Sequence, residues 1–328
     1  MSSPHGHIRW SSIALLHNVV RTLTYLNTND GHPFPVVAYR AKIKLHGTNC
    51  GIQITPSGLI PQSRTRLLEL NSDYKGFARW VDANRSLFEA MEPGITVFGE
   101  WCGRGIEKGT GIASIDRKVF AVFAVQQGRG EGACIEFEPE VLRALLPEHP
   151  DLFVLPWYGE PLTLDYGDPA SMDACAERLN RLVAEVERED PWVKATFGKE
   201  GVGEGLVFYP LDGPFSPEAL AMLMFKAKGD KHRTAGSTKA VQVAPDVAES
   251  VEAFAALMVT EARLAQGVTE ACEGQFHMRC MGKLIAWVRD DVEKESVAER
   301  EAAGLTWKQV SKAVQTRARE WYKAKVLG

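Results

Sequence analysis

From residue 36 to residue 44 apolar and polar positions alternate, with Val37, Tyr39, Ala41 and Ile43 on one side and Ala38, Arg40, Lys42 and Lys44 on the other. A two-residue period predicts a strand, and the His46-Gly47-Thr48-Asn49 stretch that follows predicts a turn. Further β-like runs, bounded by Gly, Pro, Asn and Asp, cover 51–54, 95–101, 119–125, 205–209 and 222–228. Helical patterns intervene at 77–90 and 174–189. Because strand and helix do not alternate regularly, the expected fold is α+β with antiparallel sheets rather than a doubly wound parallel sheet.

Beyond about residue 240 the period becomes helical. Val247, Val251, Phe254, Ala255 and Met258 recur every three or four residues, as do Met281, Leu284, Ile285, Val288 and Val292. Ser296 with Glu299, and Thr306 with Gln309, match the capping-box pattern, and Gly304 between them is a helix stop. A last helix is expected from about Trp307 towards Val326. The sequence therefore predicts two domains, a mixed one over 1–240 and a small all-helical one over 241–328.

Composition narrows the class. With 328 residues, 45% of them hydrophobic and 24% charged, the chain can bury two cores and is not a disordered polymer. No apolar run reaches membrane-spanning length, and the polar start MSSPHGHIRW lacks the order of a signal peptide, so a cytoplasmic protein without membrane attachment is expected. The six cysteines show no CxxC spacing; Cys272, His277 and Cys280 lack an evident fourth ligand, and no zinc is assigned. Net charge is −4, but the cations are clustered. Lys226, Lys228, Lys231, Arg233 and Lys239 face Asp230 alone, and the last helix carries Lys308, Lys312, Arg317, Arg319, Lys323 and Lys325 against Glu320.

Lys44 ends its strand on the polar face, and Gly47 just beyond lets backbone come close to a ligand, which suits a nucleophilic amine beside a phosphate. The run Lys44-Leu45-His46-Gly47-Thr48-Asn49 resembles the KxHGTN nucleophile motif of the RNA ligase 2 family, covalent nucleotidyltransferases that include phage and kinetoplastid RNA-editing ligases. Other segments follow in that family's order: Ser63-Arg64-Thr65, Val97-Phe98-Gly99-Glu100, Gly103-Arg104-Gly105-Ile106-Glu107-Lys108, Phe120-Ala121-Val122-Phe123, Glu204-Gly205-Leu206-Val207 and Phe225-Lys226-Ala227-Lys228. The likeness spans the whole first domain. Three positions depart from it, with Ile43 where an acid usually precedes the nucleophile, Ala124 where an aspartate follows the aromatic, and Tyr209 where a lysine follows the glutamate motif.

The resemblance implies an ATP-dependent RNA ligase fold and activity, with ATP and Mg²⁺ (or Mn²⁺) as cofactors. Lys44 would carry AMP as a phosphoramidate, with His46 orienting the triphosphate and Lys226 and Lys228 gripping it. Leu45, Glu100 and Phe123 would complete the nucleotide site, Glu100 at the ribose and Phe123 against the base, and Glu204 would be linked to the metal. Asn49 and Arg64 would hold the nucleic acid, most simply RNA at a nick in a duplex. No protein partner is implied. A lysine amine with its ordinary pKa of about 10.4 is unprotonated in about one copy in a thousand or fewer at neutral pH, so neighbouring cations and burial are expected to tune Lys44. The alternatives are a DNA nick ligase or capping-type nucleotidyltransferase, disfavoured by HGTN in place of the DG that usually follows their nucleophile and by a helical rather than barrel-like tail, and a catalytically inactive nucleic-acid-binding relative.

Overall fold

The computed structural model describes residues 6–211, 213–229 and 251–327. One sheet runs in the order β1 (Ala14–Leu15), β11 (Phe225–Lys228), β10 (Gly205–Pro210), β2 (Val36–Lys44) and β9 (Tyr158–Asp165). The second runs β4 (Gly58–Ser63), β3 (Thr48–Thr55), β5 (Ile95–Gly103), β6 (Lys118–Gln127) and β7 (Cys134–Glu136), with β8 (Leu152–Val154) beside β6. All pairings are antiparallel except β1 with β11 and β6 with β8. The α+β architecture with antiparallel sheets is the one the sequence predicts.

Helices cover the sheets. They are α1 (Leu16–Asp30), α2 (Phe77–Ala83), α3 (Arg85–Phe88), α4 (Pro139–Leu145), α5 (Pro169–Arg188), α6 (Pro191–Phe197) and α7 (Pro217–Leu223). Strand β6 is apolar on both sides because it separates two cores. Phe120, Val122 and Val125 enter the core under α2, α3 and α4, while Ala121 and Phe123 enter the one between the sheets. That two-sided burial is why residues 119–125 read as a continuous apolar run.

After the described strands come α8 (Val251–Met258), α9 (Glu261–Cys272), α10 (Met281–Glu295), α11 (Val297–Ala302) and α12 (Trp307–Leu327). Their inward residues, among them Phe254, Met258, Leu284, Val288, Val292, Val310, Val314 and Tyr322, form a third core of their own. Each fully buried side chain of this size adds about 1.5–3 kcal/mol of transfer free energy. The expected boundary at 240 and the residues Asp230, Lys231, Arg233, Lys239 and Val247 lie outside the described residues. No described helix is long and apolar enough to cross a membrane.

Several expected elements are corrected. The run 222–228 is a strand only at Phe225–Lys228, because Ser216 caps Ala219 N at 3.2 Å, Pro217 follows, and α7 takes Met222. The helix expected over 77–90 breaks at Asn84, whose φ is −114° and whose Nδ2 donates to Trp80 O at 2.8 Å. Ser296 makes no side-chain cap to α11, since its own backbone, at φ −111° and ψ 20°, still closes α10 through Ser296 N to Val292 O at 3.0 Å. At the second expected box Gln309 Oε1 does accept from Thr306 N at 2.8 Å, and Gly304 has φ +65°.

Candidate active site

Strand β2 places Lys42 and Lys44 on one face, and its partners place further lysines beside them. Across β2, β10 and β11 the register aligns Lys44, Gly205 and Lys228 in one row and Lys42, Val207 and Lys226 in the next. Gly205, at φ +146°, has no room for a side chain, since a Cβ would lie 2.1 Å from Ala227 O. Glu204, immediately before it, is the carboxylate that links the two lysines of the first row. Lys44 Nζ donates to Glu204 Oε2 at 2.7 Å and Lys228 Nζ lies 3.1 Å from Oε1.

Beyond Lys44 the chain turns through Leu45, His46 and Gly47 into β3. A Cβ at Gly47 would lie 2.6 Å from Trp101 O, so only glycine allows the turn to pack on β5, and Gly47 N donates to Glu100 Oε1 at 3.0 Å. Asn49 pairs with Glu100 in the β3/β5 register, which carries the turn's polar residues towards the same space. Phe123 enters it from β6, its ring 4.9 Å from that of Trp10. Arg64, at the end of β4, donates to Ser12 Oγ at 2.9 Å.

All the residues singled out from the sequence, Lys44, Leu45, His46, Asn49, Arg64, Glu100, Phe123, Glu204, Lys226 and Lys228, line one cavity of about 490 Å³. Sequence reasoning missed several of its walls. Lys42 is 1% exposed; its Nζ donates to Phe123 O at 2.9 Å and Phe137 O at 2.6 Å and lies 5.5 Å from the Tyr209 ring. Its position two residues before Lys44 was the available signal. Trp10, whose buried indole N–H has no hydrogen-bond partner among the described residues, and Trp287, Asp291 and Glu295 of α10 come from distant elements and carried no local signal.

The departures from the family pattern sit in packed surroundings. Ile43 and Ala124 belong to the core between the sheets, and Tyr209 is 2% exposed against Phe137 at 5.1 Å.

Electrostatics differ from a ring of bare cations, because carboxylates lie between the lysines. Burial pushes the Glu204 carboxyl up, but the Lys44 and Lys228 ammoniums more than reverse this and hold it far below the usual range. Burial raises Glu100 to about 7, and lowers Lys42 to about 7. Burial opposes the charged form of His46, yet Glu270 of α9, 3.6 Å away, together with Glu204 raises it above the ordinary histidine value. Among the described residues, His46, Glu107 and Glu270 bring possible metal-ligating atoms within 4.8 Å of one another. Glu204 lies outside that trio, with both its oxygens facing ammoniums.

The sequence pattern of the RNA ligase family matches residues 38–228, more than half of the chain and all of the strands that build this cavity's floor. This chain belongs to the RNA ligase family. The residues singled out from the sequence thus gather at one cavity within or beside the matched range rather than being scattered over the surface. Among solved structures, a Naegleria gruberi RNA ligase mutant with ATP and Mn is 15% identical with a TM-score of 0.44, covering 69% of this chain and 57% of that one. A second such mutant with ATP and Mn is 16% identical, TM-score 0.44, covering 69% and 58%. The same organism's RNA ligase with PPi is 14% identical, TM-score 0.42, covering 71% and 61%. The chain spans less than two thirds of the length of these Naegleria chains. A search of curated proteins found no match.

Proposed function

We propose that this protein is an ATP-dependent RNA ligase that works through a lysyl-AMP intermediate on Lys44 and seals a 5′-phosphate to a 3′-hydroxyl, at a nick in duplex RNA. The observation that carries the reading is the bridge of Glu204 between Lys44 and Lys228 on the floor of a cavity that also holds Phe123 and Glu100. Membership of the RNA ligase family adds the substrate class.

In the first step Lys44 Nζ bonds to the α-phosphorus of ATP, the bond to the bridging oxygen breaks, pyrophosphate leaves, and the amine's proton passes to water. Lys226 and Lys228 stabilise the charge on the phosphates and His46 orients them, a task of positioning and electrostatics rather than of covalent help. Phe123 packs on the base and Glu100 faces the ribose. In the second step a 5′-phosphate oxygen displaces Lys44 from the adenylate phosphorus, giving the adenylylated end. In the third, the 3′-hydroxyl attacks the 5′-phosphorus and AMP departs. Asn49 and Arg64 hold the nucleic-acid end at the cavity mouth.

The buried carboxylate of Glu204 and the nearby carboxyl of Glu100 offer hard oxygen donors, a set that fits Mg²⁺ or Mn²⁺ better than a thiophilic ion. Glu204 would hold such an ion, which would supply positive charge against the phosphates. The division of labour proposed is catalysis by residues 1–240 and contact with polyanion by the helical residues 241–328.

Incubation with ATP labelled in the α-phosphate and Mg²⁺ or Mn²⁺ tests the reading. Label is expected on the wild-type chain and none on Lys44→Ala; an unlabelled wild type points instead to an inactive nucleic-acid binder. A sealing panel in which RNA and DNA are exchanged on each side of the nick separates RNA ligase, which requires ribose at the hydroxyl side, from the DNA-ligase alternative, indifferent to sugar.

A further inference from the structure

The C-terminal helices reach into the cavity with the wrong charge for a phosphate site. Along α10, Trp287, Asp291, Lys294 and Glu295 line the cavity, while Leu284, Val288 and Val292 on the opposite side are fully buried in the helical core. Glu295 Oε2 accepts from Lys226 Nζ at 2.8 Å and lies 3.9 Å from Lys228 Nζ. A second carboxylate comes from α9, where Glu270 Oε1 accepts from Lys108 N at 3.0 Å and stands 3.6 Å from His46 Nε2. The helix is held in this place by Arg263, whose buried guanidinium donates to Asp291 Oδ2 at 2.9 Å, one turn before Glu295.

The physical reason for such pairing is charge. Lys44 and Lys228 converge on Glu204 and Lys226 lines the same cavity, and three ammoniums with one carboxylate between two of them form a strong anion attractor. Glu295 supplies the second anion. Burial pushes its carboxyl up, but Lys228 and Lys226 hold it well below the ordinary range, so it is ionised wherever the enzyme works. A carboxylate oxygen 2.8 Å from Lys226 Nζ competes with a phosphate oxygen for the same ammonium and repels it as a like charge.

We propose that Glu295 is an internal substitute for a substrate phosphate: it occupies the lysines until nucleotide arrives, so that entry of the triphosphate and withdrawal of this end of α10 are one coupled event. This rests on the reading of Lys226 and Lys228 as phosphate-binding. The apparent affinity for ATP is then the intrinsic affinity reduced by the fraction of molecules with Glu295 withdrawn. Glu270, on His46, is the second tether that the same movement releases.

The test is the ATP dependence of label transfer to Lys44 in wild type and in Glu295→Ala, with Glu293→Gln as the control that removes the same charge from the exposed side of the same helix. Half-saturating ATP is expected to fall roughly 5- to 150-fold in Glu295→Ala, the range of a typical coupling between two sites, and to stay unchanged in the control. Titration with inorganic triphosphate, followed by calorimetry, should show the same tightening without any chemistry. Unchanged ATP and triphosphate affinity in a folded Glu295→Ala overturns the inference, and so does loss of the adduct, which would make Glu295 part of the machinery. Should the alanine variant fail to fold, Glu295→Gln is read by the same criteria. If the wild type itself takes no label, the ligase reading fails, and the triphosphate titration still decides this inference separately.

Discussion

Nζ of Lys44 lies 2.7 Å from Oε2 of Glu204, and the other oxygen of the same carboxylate lies 3.1 Å from Lys228 Nζ. One buried acid therefore pairs with both the proposed nucleophile and a proposed phosphate-binding cation, and on that reading its loss should be felt in the chemical step. Glu204→Gln is expected to slow adenylylation by about 10²–10³, the usual effect of removing a preorganised charge from a reacting centre, as measured by single-turnover label transfer. A variant within threefold of wild type would take Glu204 out of the mechanism.

Phe123 faces the cavity beside Trp10 and is assigned to the base. Phe123→Ala removes a stacking surface of about 1–3 kcal/mol, so half-saturating ATP should rise about 5- to 150-fold while the adenylylation rate at saturation changes little. A loss confined to the saturated rate would assign Phe123 to another role.

Lys42 carries a pH signature. Burial lowers its folded-state pKa to about 7 from the ordinary 10.5. Below pH 7 both the folded and unfolded chains carry the charge, and the folded state bears the full cost of burying it. Between pH 7 and about 10.5 the unfolded chain binds more protons, so stability conferred at this site rises with pH. Chemical denaturation at pH 6.5 and 9.5 should show wild type gaining on Lys42→Met as pH rises; parallel profiles would refute the assignment.

On α12 a groove lined by Trp307, Lys308, Lys312, Gln315 and Arg319 offers cations to a polyanion. Replacing Lys308, Lys312 and Arg319 by Gln should weaken duplex RNA binding and flatten the log–log salt dependence by about 0.9 for each phosphate no longer neutralised, with label transfer to Lys44 unaffected. An unchanged salt slope would place the nucleic acid elsewhere.

What could be read from the sequence was what local rules control. The alternation of 36–44 defines β2 to the residue, and the motif positions converge on one cavity because each sits at a strand end or on a strand face whose direction the two-residue period fixes. Element ends were less legible where a short polar interaction decides them, as with Ser216 capping α7 or Asn84 breaking the helix after Trp80. Glu270 and Glu295 were invisible as site residues, since on their helices they resemble ordinary solvated acids. They reach His46 and Lys226 only through the packing of the C-terminal helices on the strands.

Everything in the proposed mechanism depends on the proposal that Lys44 carries the nucleotide. The decisive measurement is mass spectrometry of the proteolytic peptide containing Lys44, after incubation of the folded protein with ATP and Mg²⁺ or Mn²⁺ in the absence of nucleic acid. AMP is expected on that lysine through an acid-labile P–N bond, discharged when pyrophosphate is added. An unmodified Lys44 peptide, or AMP on a different side chain, would refute the mechanism.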